Sequence, residues 1–264
     1  MRKFTLSGKP VTDELESNIN SFAFEGISVL MWNLREGFQA EYEDIETKKG
    51  KTLTEEEKST VTQRAWGGIS SKMIKTCKHL HKISKEGYPV IATAWDDPDS
   101  ITKMPLLIGR DFKRLVAGFF NNIGFVEFMQ NSKGNVTYPP KVNFLPGPDS
   151  NTRCGPILEQ KARKAKYCPL DFSLILKYKD PEFGFCCLIY GPYGVGKTYS
   201  FSTLPEICAI MNLESKDPRE ILAPFKNKKE FIIYEPEAGS SNLGEYSQEI
   251  IDQLEAFLQM KRSK

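Results

Sequence analysis

At 264 residues the chain is long enough for one large α/β domain or two small ones. A hydrophobic share of 40% against a charged share of 27% lets it bury a core behind a charged surface, and a net charge of +2 makes no overall case for nucleic acid, leaving only a local basic patch open. Six cysteines without a Cys-x-x-Cys pair read as reduced thiols of a cytoplasmic protein. Met1 to Thr5 lacks the apolar run of a signal peptide, and no stretch approaches the roughly 20 apolar residues of a membrane span.

In chain order, Thr12 is a helix N-cap with acids in the first turn, and Leu15, Ile19 and Phe22 share one apolar face. Glu25-Gly26 should end that helix. Ile27–Met31 then reads as a buried strand closing on Trp32-Asn33-Leu34. Residues 35–47 read as helix, and Glu43 to Lys58 as an exposed charged excursion. A long helix follows from Ala65 to about Glu86, with Ile69, Met73, Cys77 and Leu80 inward and His79 and His81 at the surface. Val90–Ala94 is a buried strand whose Thr93 is placed to sense a γ-phosphate, and Asp96 and Asp97 read as loop acids. Gly109 to Asn122 reads as a helix carrying Arg110, Lys113 and Arg114. Paired strands follow at Ile123–Met129 and Val142–Leu145, then a polar loop holding Arg153. Lys161, Arg163, Lys164 and Lys166 form a basic cluster, either a solvated helix face or a contact for DNA or RNA phosphates.

The most specific signal is Gly191-Pro192-Tyr193-Gly194-Val195-Gly196-Lys197-Thr198, the Gly-x-x-x-x-Gly-Lys-Thr P-loop pattern. The apolar run Phe185–Tyr190 leads into it and a helix-compatible segment, Thr198–Leu204, leads out. Glycines let the backbone curl into a nest of N–H groups, and the following helix N-terminus adds positive partial charge. Lys197 reaches β- and γ-phosphates, and the Thr198 hydroxyl is placed to ligate Mg²⁺. The phosphate-binding set runs from Gly191 through Tyr199. Ile207–Leu213 and Glu230–Tyr234 read as two further strands. The second closes on Tyr234-Glu235-Pro236-Glu237, where Glu235 or Glu237 could orient or deprotonate a water. An amphipathic helix over Tyr246–Met260 completes the inventory. It fits one domain over residues 1–264, a mostly parallel sheet between helices, in which 181–264 completes a sheet with strands from 1–180.

Gly191 to Thr198, Phe231–Tyr234 with its acids, Trp66-Gly67-Gly68 opening a helix, and Val90–Thr93 together resemble the RecA-like AAA ATPases of phages and archaeal viruses. That group is associated with DNA recombination and single-strand annealing. The resemblance implies a three-layer P-loop NTPase fold. It also implies the order P-loop strand, acid-ended strand, Walker B strand, sensor strand, which this chain shows only when 181–264 is placed before 1–180. A circular permutation is therefore expected. So are ATP and Mg²⁺ as ligands, hydrolysis to ADP, single-stranded DNA as a partner, a homo-oligomer and no membrane. Trp32 falls where the Walker B Asp is expected, leaving Mg²⁺ to Thr198, water and Asn33. Glu235 and Glu237 fall in the catalytic Glu region, and Arg153 is the candidate arginine finger. The competing readings are a nucleotide-binding subunit without turnover, favoured by Trp32, and a P-loop kinase. No Asn-Lys-x-Asp guanine motif is present; Asn227-Lys228-Lys229-Glu230 enters a strand instead of closing one.

Overall fold

Short apolar runs whose side chains alternate between two faces build the centre of the molecule. In the computed structural model, which describes residues 1–59, 63–107, 118–147, 150–165, 168–179, 182, 184–205, 207–225, 229–237 and 243–262, nine strands form one mixed sheet. They are β1 (Arg2–Thr5), β2 (Ser21–Glu25), β3 (Val90–Trp95), β4 (Asn122–Gln130), β5 (Val136–Asn143), β6 (Cys168–Pro169), β7 (Cys186–Gly191), β8 (Cys208–Asn212) and β9 (Phe231–Glu235). Their order across the sheet is β1-β9-β8-β2-β3-β7-β4-β5-β6. The central run from β9 to β4 is parallel. β1 at one edge and β5 and β6 at the other are antiparallel.

Period-two geometry sends Phe22, Phe24, Val90, Ala92, Cys186, Leu188 and Tyr190 into one core, and Ala23, Ile91, Cys187 and Ile189 into the other. The first core is covered by α2 (Ile27–Lys48), α4 (Gln63–Lys85) and α8 (Leu243–Arg262). The second lies under shorter pieces: α5 (Pro156–Lys164), α6 (Phe172–Ile175), a 3₁₀ segment (Thr198–Thr203) and α7 (Pro218–Leu222). The molecule is thus an α/β sheet flanked by helices on both faces. No helix among the described residues is long and apolar enough to cross a membrane.

The first fifty residues correct the sequence reading. Thr12 does cap a helix, its hydroxyl accepting from the Leu15 N–H, but that helix, α1 (Asp13–Ser17), stops after five residues. Ser21–Glu25 is a strand, buried throughout, and the expected strand at Ile27–Met31 is the first turn of α2. Ile27, Leu30, Met31 and Leu34 are all buried at helical spacing, so the β-favouring run is the inner stripe of a helix. Gly26 makes the change of direction: its φ of 99° is left-handed, and a Cβ there would lie 3.1 Å from the Glu214 Cγ.

Other expectations change less. α2 continues to Lys48 and α3 (Glu55–Ser59) follows, so the charged excursion is partly helical. His79 is buried against the Glu255 carboxylate of α8 at 3.1 Å, and His81 contacts the Phe119 carbonyl at 3.0 Å, so neither is a free surface residue. Most of the expected Gly109–Asn122 helix, with Arg110, Lys113 and Arg114, falls on 108–117, outside the described residues, as does Lys166; Asn122 itself opens β4. The paired strands are β4 and β5, joined by a turn over Asn131–Asn135.

Candidate nucleotide-binding site

Parallel strands converge their carboxyl ends on one edge of the sheet, the edge where open α/β sheets place ligands. Here that edge carries Glu25 on β2, Trp95 on β3, Gly191 on β7 and Asn212 on β8, with Trp95 level with Gly191 and Glu25 level with Asn212. A cavity of about 400 Å³ opens above them, walled by Glu25, Trp95, Lys197, Thr198, Glu214 and Lys216; Tyr193, Gly194, Gly196, Tyr199 and Ile221 complete its rim.

The loop leaving β7 has the conformation that its glycines allow, with Gly194 at φ 76° and Gly196 at φ 96°. Val195 anchors it in the core and Tyr193 is 77% exposed at its tip. Lys197 is only 9% exposed, and its ammonium donates to the Gly191 and Pro192 carbonyls at 2.8 and 2.9 Å. Burial lowers its pKa to about 8, against the opposing pull of Glu214, Glu25 and Asp96. The segment after the loop is 3₁₀ instead of the expected α-helix, with Tyr199 edge-on to Phe225 at 5.2 Å.

The Thr198 hydroxyl donates to Glu25 Oε1. Glu25 is 3% exposed, and its Oε2 is buried without a hydrogen-bond partner. Burial drives its pKa up to about 8, with Thr198 pulling it down and Glu214 adding to the rise. A buried, half-satisfied carboxylate costs stability unless something else engages it. Two hard oxygen donors, a hydroxyl and an unpartnered carboxylate oxygen, fit Mg²⁺, which keeps waters and substrate phosphates as its other ligands. Among the described residues no three His, Cys, Asp or Glu side chains converge on a metal position, so the fit is to a cation shared with a phosphate.

Trp32 does not occupy the acid's place. It lies on the second turn of α2 with the Arg35 guanidinium 4.9 Å over its ring. The acid that closes the strand is Glu25, which sequence reading assigned to a helix end. Asn33 donates to the Tyr246 hydroxyl at 2.9 Å and faces a neighbouring polar cavity.

The expected catalytic residues disperse. Glu235 is paired with Arg2 and accepts from Asn212 at 3.1 Å in that neighbouring cavity. Glu237 meets the N-terminal ammonium at 3.1 Å. Thr93 is buried, its hydroxyl accepting the Gly26 N–H at 3.0 Å. Arg153 donates to the Phe120 carbonyl at 3.0 Å and pairs its backbone with Ile123. None of these four lines the P-loop cavity. The acid beside the loop is Glu214, whose Oε1 accepts the Trp95 indole N–H at 3.2 Å. Asp96, just beyond β3, keeps Oδ1 buried and without a partner, and burial raises its pKa. Of the basic cluster, Arg163 is tied to Glu159 and Lys161 lies 5.5 Å over the Tyr178 ring. All six cysteines are free.

No protein-family model, curated protein or solved structure matches the chain.

Proposed function

We propose that the chain binds a nucleoside triphosphate, ATP by the resemblance above, with Mg²⁺ and hydrolyses it to the diphosphate and phosphate. The observation that carries this reading is the contact of Thr198 with Glu25 at a complete P-loop, both residues lining the cavity and Glu25 Oε2 buried without a hydrogen-bond partner. Lys197 would exchange its two carbonyl partners for the β- and γ-phosphates, whose negative charge would favour its charged form against burial. Thr198 and Glu25 would hold Mg²⁺, which when bound neutralises charge on the phosphate oxygens. Glu214, oriented by the Trp95 indole, is the general base we favour. As the water oxygen bonds to the γ-phosphorus, the bond from phosphorus to the β-phosphate oxygen breaks. The water's proton passes to Glu214 and the electron pair stays on the diphosphate. Glu25 lines the cavity and Trp32 does not, which favours turnover over the subunit without it.

The strand arrangement supports a RecA-like plan in permuted order. Following the chain from β7 through β8 and β9, then from β1 through β2 to β3, gives the P-loop strand, a strand followed by Glu214, the strand ending in Glu25, and the strand carrying Thr93. In space β8, β2, β3 and β7 are consecutive. The role in DNA recombination or replication, and assembly into a homo-oligomer, rest on the resemblance. Phosphate release by the purified chain, with Mg²⁺ and with or without single-stranded DNA, tests the proposal beside Lys197→Ala. Release that single-stranded DNA stimulates and Lys197→Ala abolishes is expected. Tight nucleotide binding with no release in either condition would favour the subunit without turnover.

A further inference from the structure

The transferring phosphoryl group spreads negative charge over its oxygens, and a cation beyond the P-loop lysine commonly stabilises it. The two arginines that line the neighbouring polar cavity are committed elsewhere, Arg2 to Glu235 and Arg219 to Asp217. Among the described residues, Lys197 and Lys216 are the two cations in the cavity wall. Resting on the function just proposed, we infer that Lys216 is a catalytic residue that contacts the γ-phosphoryl oxygens from within the same chain.

The loop carrying Lys216 is held in place. The Leu213 N–H donates to the Glu25 carbonyl at 3.1 Å, and the Glu214 N–H donates to Asn212 Oδ1 at 3.2 Å. The Asn212 amide reaches the Lys216 carbonyl at 3.5 Å, and Asp217 caps α7 through the Arg219 N–H at 2.8 Å. This anchoring holds Lys216 in the wall of the cavity that Glu214 and Glu25 also line. Its side chain is exposed, and among the described residues it forms no ion pair. A long, uncommitted ammonium on a fixed loop can follow the phosphoryl group as the bond to the diphosphate breaks. One loop would then supply both the base, Glu214, and the charge stabiliser, Lys216, without an arginine from a second chain.

The test compares ADP with a non-hydrolysable ATP analogue, each titrated into the full chain with Mg²⁺, for the unaltered protein, Lys216→Ala, Lys216→Arg and Lys133→Ala. The last removes an equal charge from the β4–β5 turn. In Lys216→Ala, ADP affinity should stay within about twofold while analogue affinity falls about tenfold, the scale of one charge-assisted hydrogen bond. Turnover should fall about a hundredfold, less than the loss of an arginine finger brings. Lys216→Arg should recover most of both, and Lys133→Ala should change neither. An unchanged ratio of ADP to analogue affinity in Lys216→Ala overturns the role of Lys216 alone. Failure of the unaltered chain to bind either nucleotide overturns the reading of the cavity, and this inference with it.

Discussion

Glu25 has one carboxylate oxygen on Thr198, the other without a partner, and almost no exposure to water. Its pKa rises from 4.5 to about 8 in the fold. Above pH 4.5 the unfolded chain therefore releases this proton while the folded chain keeps it. Stability is lost progressively between about pH 4.5 and 8 and changes no further with this group above that. Glu25→Gln removes the liability. It should raise stability by about 1–3 kcal/mol at pH 8, with the gain fading toward pH 4.5. In thermal melts that is about 2–12 °C, at about 2–4 °C per kcal/mol for a chain of this size. Equal melting temperatures at pH 8 would show that Glu25 is not buried as a strained acid. Activity and stability are thus expected to oppose each other at this residue.

The turn from β2 into α2 aims Glu25, and Gly26 is its pivot. Gly26→Ala forces a left-handed Cβ into contact with Glu214 Cγ at 3.1 Å and Val29 Cβ at 3.2 Å. It should cost about 1–2 kcal/mol in denaturant unfolding and weaken Mg²⁺-dependent nucleotide binding together with stability. Leu34→Ala, on the buried stripe of α2, should cost about 2–5 kcal/mol while leaving nucleotide affinity near normal in the folded fraction, since Leu34 is not in the cavity wall. These elements also show what the sequence makes legible. β3, β7, β8 and β9 are short apolar runs bounded by turns, and each was readable from that pattern. β2 was not. The Thr12 cap and the spacing of Leu15, Ile19 and Phe22 mimic a helix continuing past Ser17. Ile27 to Met31, rich in β-favouring residues, mimics a strand although Ile27, Leu30, Met31 and Leu34 follow helical spacing. The discriminating signal was Phe22-Ala23-Phe24-Glu25-Gly26, an alternating run closed by an acid and a glycine.

At the scale of the molecule, the P-loop could be recognised because its chemistry is local: glycines, lysine and threonine lie in eight consecutive residues. The rest of the site is assembled across the sheet. Glu25 and Thr198 are far apart in sequence and meet because β2 and β7 flank β3. Glu235 ends a strand just as Glu25 does, yet β9 lies two strands further from the P-loop than β2 does, so an acid-ended strand alone cannot be ranked without the strand order. That order also bears on the permutation. β1 pairs with β9, and the Met1 ammonium lies 3.5 Å from Glu249 on α8. From Glu249 to Arg262 is 13 residues, about 20 Å of helix at 1.5 Å per residue. A flexible linker of about 15 residues spans that distance. A variant joined there and opened ahead of β7 should fold and bind nucleotide within about threefold of the parent affinity, by the tolerance of surface chain breaks. Circular dichroism without the parent's α/β signature would contradict a single sheet indifferent to where the chain is cut.

In the function proposed above, Glu25 and Thr198 complete the P-loop as a site for a nucleotide with Mg²⁺. Calorimetric titration of ATP with and without Mg²⁺, into the unaltered chain and Glu25→Gln, tests this role. Mg²⁺ should raise the affinity of the unaltered chain but not that of Glu25→Gln, with binding of metal-free ATP retained. An equal gain from Mg²⁺ in both proteins would contradict it.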